Sequence, residues 1–333
     1  MPIFPFVPSA VDAPTNKLPP IDASAPYEKT FFQRGVSYTA EFPAVYTSEA
    51  ARELLKKLPS YGVNAIALVP FGGATQNPPG VRFFSTSNSW ESDEGIEQLS
   101  RVAHSIHVKV MLKPQLWTRG GDWKELDIPD AVERAKWFVE YQQFIEHYAQ
   151  LATRIHADLF CVGVELGNLV QYDAEWRKLI ARVREVYPGP LVYAANFGAE
   201  FESVALWDAL DYIGLDNYYP LPDDFSTDAV VNKVESVQKK FTRPVLFTEA
   251  GFASREGTHR APWEDGQGKI SLGEQARCYE ALFRAFYNKP WFAGVYWWKV
   301  GTNGRGGPSD ISLTPWGKPA MDVVRRWYLE GKR

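Results

Sequence analysis

Cysteine is nearly absent. Cys161 and Cys278 are the only two in 333 residues, too few for the disulfide framework of a small secreted scaffold. One falls in an apolar, strand-like run and the other in a helical pattern, so both read as buried, inert thiols. Long apolar runs are also missing: nothing approaches the roughly 18 residues that read as a membrane helix. Neither charge sign dominates. The 36 basic and 40 acidic residues are well mixed, with a net charge of −4, which argues against nucleic-acid or polybasic membrane partners. No GxGxxG or GxxxxGK[ST] follows any strand-like run, so the usual sign of a nucleotide-binding sheet is absent. No GxSxG elbow, HExxH pair or Cys/His cluster occurs, and neither a metal nor a cofactor is expected. His104 and His107 stand three apart on a helical stretch, away from the strand ends, and read as packing or surface residues.

Aromatic residues, in contrast, are abundant: 12 Trp, 16 Tyr and 20 Phe. Many must fill the core of so long a chain. Others suit stacking against the C–H faces of sugar rings, whose rims need hydrogen bonds. The opening stretch "MPIFPFVPSAVDAPTNKLPP" has no basic n-region, and prolines interrupt its apolar residues, so as it stands it does not read as a signal peptide. Residues 1–30 read as a Pro-rich arm lying over the domain or partly disordered. The expected location is secreted or periplasmic if a signal has been removed, and cytoplasmic otherwise.

From residue 34 onward, short apolar runs alternate with amphipathic helical stretches. The runs are 35–40, 64–72, 109–117, 158–165, 190–198, 211–221, 244–252 and 292–301. Between them, 131–156 spaces Trp137, Phe138, Tyr141, Phe144, Ile145 and Tyr148 as one helix face. The stretch 174–187 does the same with Trp176, Leu179, Ile180, Val183 and Val186, and Asp173 reads as its N-cap. Continuous apolar strands alternating with helices indicate a parallel sheet covered on both sides. Eight such units over about 300 residues favour a closed (β/α)8 TIM barrel, a single catalytic domain over residues 31–333.

In such a barrel the active site lies at the C-terminal rim, so polar residues that end strands are informative. The fourth run, "DLFCVGVELGN", ends in Glu165, and the seventh, "PVLFTEAGF", ends in Glu249. A carboxylate at the end of an apolar run must be paired or put to use. Two of them on different sides of one ring form the equipment for glycoside hydrolysis, one protonated and one ionised. Other strand ends supply candidate sugar contacts: Lys113, Gln115 and Trp117 from the third run, Asn196 from the fifth, and Asp216, Asn217, Tyr218 and Tyr219 from the sixth. The eighth adds Trp297, Trp298 and Lys299. Strand alternation lets only one of the two Trp residues face the barrel axis. The loops 72–92 and 253–271 read as walls of the site, with Phe83, Phe84, Trp90 and Trp263 as their aromatics.

Six of these motifs, "VMLKPQLW", "ADLFCVGVELGN", "PLVYAANFG", "DYIGLDNYYPL", "PVLFTEAGF" and "WFAGVYWWKV", resemble in order and spacing the strand ends of glycoside hydrolase family 113. The likeness runs from about residue 34 to 330. That family belongs to a large retaining clan of (β/α)8 glycosidases and is known chiefly for β-1,4-mannanases. The resemblance implies that Glu165 is the acid/base and Glu249 the nucleophile of an endo-β-1,4-mannanase acting on mannan or glucomannan by double displacement. It also suggests a strand-six phenol, Tyr218 or with a shifted register Tyr219, as a donor to the nucleophile. Two positions depart from the pattern: Val164 stands where much of the clan has Asn, and Gln115 stands where His is expected. The expected partner is an oligo- or polysaccharide, the protein acting as a monomer without nucleic acid or membrane. The competing readings are a β-glucan-directed or exo-acting β-glycosidase on the same scaffold, and a sugar-binding barrel that has lost catalysis. The second would be expected to lack one of the two glutamates.

Overall fold

The computed structural model describes residues 18, 20–22, 26–28, 30–83, 89–118 and 123–331. Eleven strands occur among them: β1 Gln33–Thr39, β2 Ala65–Leu68, β3 Phe71–Gln76, β4 Pro79–Phe83, β5 Lys109–Leu112 and β6 Gln115–Thr118, then β7 Leu159–Val164, β8 Leu191–Asn196, β9 Tyr212–Asn217, β10 Val245–Ala250 and β11 Phe292–Gly301. The helices are α1 Glu49–Leu55, α2 Asp93–Ser105, α3 Ala131–Arg154, α4 Asp173–Val186, α5 Ala199–Ser203, α6 Asp228–Phe241, α7 Leu272–Phe286 and α8 Pro319–Glu330. Eight strands close a parallel barrel in the order β1-β11-β10-β9-β8-β7-β5-β2. Each lies within or within two residues of one of the eight apolar runs, and the fold is the expected (β/α)8 barrel.

Consecutive apolar residues of a strand serve two different cores, because side chains alternate across the sheet. Ala65, Ala67, Leu159, Cys161, Val192, Ala194 and Leu246 pack together with Met111, Tyr212 and Tyr296. Their neighbours Ile66, Leu68, Phe160, Val162, Tyr193 and Phe247 join the larger core that includes the helices. Small residues in the first set leave room for the rings in the lumen. At Gly35 a Cβ would lie 2.4 Å from the Tyr296 ring, so only glycine fits beside it. The Tyr296 hydroxyl donates to the Gln33 side-chain oxygen at 2.7 Å, so neither of these two buried oxygens is left without a partner.

Side-chain caps start several helices. Ser48 accepts from the Ala51 amide, Ser92 from Gly95, and Asp130 from Val132 and Glu133. Asp173 corrects an expectation. It is the first helical residue rather than the cap, and its carboxylate pairs with Arg177 one turn on, at 2.7 Å, a spacing that favours such pairs. All six aromatic and aliphatic residues expected on the buried face of α3 are buried.

Two runs are shorter as barrel strands than they read. Pro70 and Pro114, which lack an amide hydrogen, split them into β2 and β3, and into β5 and β6. The upper halves flare from the rim as a separate sheet, β4-β3-β6. Part of the segment read as a loop, 72–92, is therefore a hairpin. It leans on α3, where Glu140 accepts from the Val81 amide at 2.8 Å. The Phe83 side chain and all of Phe84 lie outside the described residues, as does most of the arm over residues 1–30. Among its described residues, Tyr27 stacks on His156 with ring centroids 4.2 Å apart, and Glu28 pairs with Lys109 at 3.1 Å. Both contacts lie at the N-terminal ends of strands β5 and β7, away from the rim. His104 packs there too, 3.2 Å from Asp158.

Candidate active site

Parallel closure brings all eight C-terminal strand ends to one rim, where a cleft of about 500 Å³ opens. Gln115, Glu165, Asn196, Tyr218, Glu249 and Trp298 line it from the strand ends. Trp123, Lys124, Glu125, Phe197, Trp263 and Leu313 line it from the connecting segments. Its size lies within the range of about 300–1,000 Å³ usual for small-molecule sites.

Glu165 follows β7 directly. Its amide still donates to Ala194 at 2.8 Å, but its backbone then turns into the left-handed region at φ 51°. Strain of about 1–3 kcal/mol attaches to that conformation for a non-glycine residue. The next amide, of Leu166, donates to the Tyr193 hydroxyl at 2.8 Å, and that hydroxyl donates to Glu200 at 2.6 Å. The turn that aims Glu165 is thus held from below. Burial drives the Glu165 carboxyl well above the usual carboxylate range, and the charge of Asp216 adds to the effect. Lys124, 3.7 Å away, opposes it.

Glu249 sits on the opposite wall in a different environment. One carboxylate oxygen accepts from Lys113, whose side chain is fully buried. The other accepts from the Tyr218 hydroxyl at 2.8 Å. A bulge sets this geometry: Phe247 pairs with Leu215 and Glu249 with Asp216, so Thr248 is the extra residue. Bulges near active sites commonly re-aim a side chain. Here the Thr248 hydroxyl turns onto Asp216 at 2.6 Å, and Lys113 lies 3.4 Å from the same carboxylate. Burial, then the charge of Glu249, pushes Asp216 up to about 7. For Lys113 burial works against the charge, but Asp216 and Glu249 outweigh it and hold the ammonium above its ordinary range.

The remaining strand-end residues divide. Gln115 and Asn196 line the cleft, and the side-chain oxygen of each is buried without a hydrogen-bond partner. Of the Trp pair, Trp298 lines the cleft. Trp297 is instead core, stacked on Tyr279 of α7 with centroids 3.9 Å apart, as alternation requires of one of the two. Tyr219 faces away and donates to Glu202 at 2.9 Å. Asn217 is buried under the rim, and its oxygen accepts from the Tyr219 amide at 3.4 Å. Trp117 is 53% exposed on the flared sheet and does not line the cleft. Lys299 pairs with Glu41 at 2.6 Å in a neighbouring cavity. Of the loop aromatics, Trp263 stacks on Phe197 at the cleft mouth, at 5.4 Å and 21°, while Trp90 does not line the cleft and stacks on Phe42. Trp123, Lys124, Glu125, Phe197 and Leu313 were not legible as site residues. Trp123, Lys124 and Glu125 form a single 3-10 turn and the others stand in connecting segments, all too short for periodicity to report direction. Cys161 lies in the lumen, its thiol pushed up to about 12 by burial.

Among the described residues, no group of three or more His, Cys, Asp or Glu side chains is arranged to hold a metal. No helix among them is long and apolar enough to cross a membrane.

Comparison with known proteins gives the same direction. The family model of Glycoside Hydrolase Family 113 matches residues 37–304. The solved family 113 β-mannanase AaManA of Alicyclobacillus acidocaldarius, in complex with ManMIm, superposes with a TM-score of 0.82 at 32% identity, covering 90% of this chain and 97% of that one. Another solved family 113 β-1,4-mannanase gives 0.80 at 28% identity, covering 90% of this chain and all of the other. The β-glucuronidase of Faecalibacterium prausnitzii, at 15% identity and a TM-score of 0.61 over 90% of this chain and 49% of that one, shares the fold alone. No curated protein matches this chain. The family model covers most of the barrel, and the chain belongs to glycoside hydrolase family 113.

Proposed function

We propose that residues 31–333 form the catalytic domain of an endo-acting β-1,4-mannanase that hydrolyses its substrate with net retention. The observation that carries this reading is the contrast between two carboxyl groups lining one cleft. Burial favours the protonated form of Glu165, whereas Glu249 receives an ammonium and a phenol on its two oxygens. Such opposed environments assign an acid and a nucleophile. Glu165 gives its proton to the glycosidic oxygen as the Glu249 carboxylate attacks the anomeric carbon, and the bond to the leaving sugar breaks. Glu165, now ionised, takes a proton from water, whose oxygen displaces Glu249 and releases the sugar with its original configuration.

Mannan is favoured by the family 113 relatives, which are β-mannanases, and by the unpartnered oxygens of Gln115 and Asn196. Mannose carries an axial hydroxyl beside the cleaved bond. A buried acceptor that pairs with that hydroxyl rejects the epimer that leaves it bare. Trp298 and the Trp263–Phe197 stack offer faces for neighbouring rings.

A panel of mannan, glucomannan, cellulose, xylan and mixed-linkage glucan, with products sized and the first-formed anomer recorded, tests this. Mannans are expected to be cut internally, with the β-anomer appearing first. Activity on glucans alone, or release of monosaccharide alone, removes the endo-mannanase reading. Initial α-anomer removes retention.

The pH profile provides a second check. Glu165 must be protonated for the first step, so its ionisation sets the alkaline limb. Lys124 favours the ionised form, so Lys124→Met should raise the Glu165 pKa. The alkaline limb of kcat/KM is then expected to move to higher pH by about half a unit to one unit, a modest shift because Lys124 is partly exposed. A limb that stays in place or moves down contradicts the assignment of Glu165 as the acid.

A further inference from the structure

A second cavity, of about 210 Å³, adjoins the cleft. The two share a wall in two places along the chain. Trp298 lines the cleft and Lys299, the next residue, lines the cavity; Leu313 lines the cleft between Ser312 and Thr314, which line the cavity. Asp265 braces this wall by accepting from the Leu313 amide at 3.0 Å.

The cavity is built of charged groups held in place. Lys299 donates to Glu41 at 2.6 Å and lies 5.8 Å from the Trp298 ring centroid. The Glu41 amide donates to the Thr302 hydroxyl at 2.9 Å. Gly301 leaves the space that Glu41 occupies, since a Cβ there would lie 2.7 Å from the Glu41 Cγ. Arg305 and Asp310 complete the charged lining. Next to Glu41 in the chain, Phe42 is 64% exposed and stacks on Trp90, itself 47% exposed, with centroids 6.0 Å apart. An exposed aromatic pair beside a polar cavity that adjoins the cleft suits a sugar ring, which presents apolar faces and a hydroxyl rim.

We propose that this cavity is a distal subsite for one neutral sugar unit of the chain being cut, with Phe42 and Trp90 continuing the groove. The Glu41–Lys299 pair matches two adjacent hydroxyls, one donating to the carboxylate and the other accepting from the ammonium. Glu41 pairs with Lys299 and Asp310 with the buried Lys318 at 2.8 Å, so the three carboxylates of Glu41, Asp265 and Asp310 face three cations once Arg305 is counted. That balance favours a neutral ring over a uronic acid. The inference deepens the glycanase reading and rests on it for the linkage.

The test is kcat/KM for β-1,4-linked manno- and gluco-oligosaccharides from the trisaccharide to the hexasaccharide, in the wild type and in Arg305→Ala and Phe42→Ala. Both positions are exposed, so both variants should fold. The wild type is expected to gain efficiency with length, and each variant to lose about tenfold in the ratio of hexasaccharide to trisaccharide efficiency. If both variants keep the wild-type ratio, the subsite is wrong. If only the gluco series is cleaved, the mannan reading falls, while the same ratio read in that series still judges the subsite.

Discussion

Glu249→Gln is expected to lower turnover by about four to six orders of magnitude, the scale seen when a nucleophile is removed from a site that works as a unit. An amide cannot form the glycosyl ester, and Lys113 and Tyr218 then hold a group with no charge to deliver. Glu165→Gln behaves differently. Without its proton the first step slows in proportion to the leaving group's need for one, so aryl glycosides with acidic phenols should still react. The second step then lacks its base. Azide, an anion that attacks without deprotonation, is expected to restore part of the rate and to appear in a β-glycosyl azide. Measured rates for both variants on an aryl glycoside and on polysaccharide decide the matter. No azide rescue of Glu165→Gln, or turnover retained by Glu249→Gln, would falsify the assignment of roles.

Lys113→Met has the largest expected effect on stability. Lys113 is fully buried, touches Glu249 and lies 3.4 Å from Asp216. Its loss leaves two carboxyl groups buried side by side without a counter-charge, and breaking such a buried arrangement costs about 3–5 kcal/mol. Denaturant midpoints at constant m-value measure the cost. The deficit has a definite pH dependence. Burial and the Glu249 charge already raise Asp216 to about 7 with Lys113 in place, and without the ammonium that carboxyl rises further. A carboxyl raised in the folded state keeps a proton that the unfolded chain has released. Stability therefore falls as pH climbs from the unfolded carboxylate value, about 4, through the folded one. The variant should lie nearest the wild type at low pH and fall away towards pH 8. A deficit that is small throughout, or that shrinks as pH rises, would show that Lys113 does not neutralise this pair.

The architecture was legible because it depends on periodicity. Eight apolar runs separated by helical stretches are a property of the chain itself, and parallel pairing follows from strands apolar on both faces. The positions of Glu165 and Glu249 at strand ends were legible for the same reason, since an acid closing an apolar run marks where the rim begins. Direction beyond that point was not. Alternation assigns faces only while the pleat is regular, and the ladders slip between Phe247 and Glu249, between Cys161 and Val164, and between Val36 and Tyr38. Each slip turns the residues after it relative to their neighbours. The choice of Tyr218 over Tyr219, and the departure of Lys299 from the cleft, therefore depend on the assembled rim. Pro70 and Pro114 did mark the ends of two barrel strands, but only the closed barrel shows that the chain continues beyond them as a flared sheet. The contributions of Trp123, Lys124, Glu125 and Leu313 come from a single 3-10 turn and a connecting segment, whose side chains are aimed by the packing around them. The contrast in surroundings between the two carboxyls also belongs to the folded state, because the groups that set it, such as Tyr218 and Lys113 at Glu249, stand 31 and 136 positions away in the chain. Sequence determined the barrel and its two acids; tertiary structure decided what surrounds them, because a carboxyl group's chemistry is set by its neighbours in space.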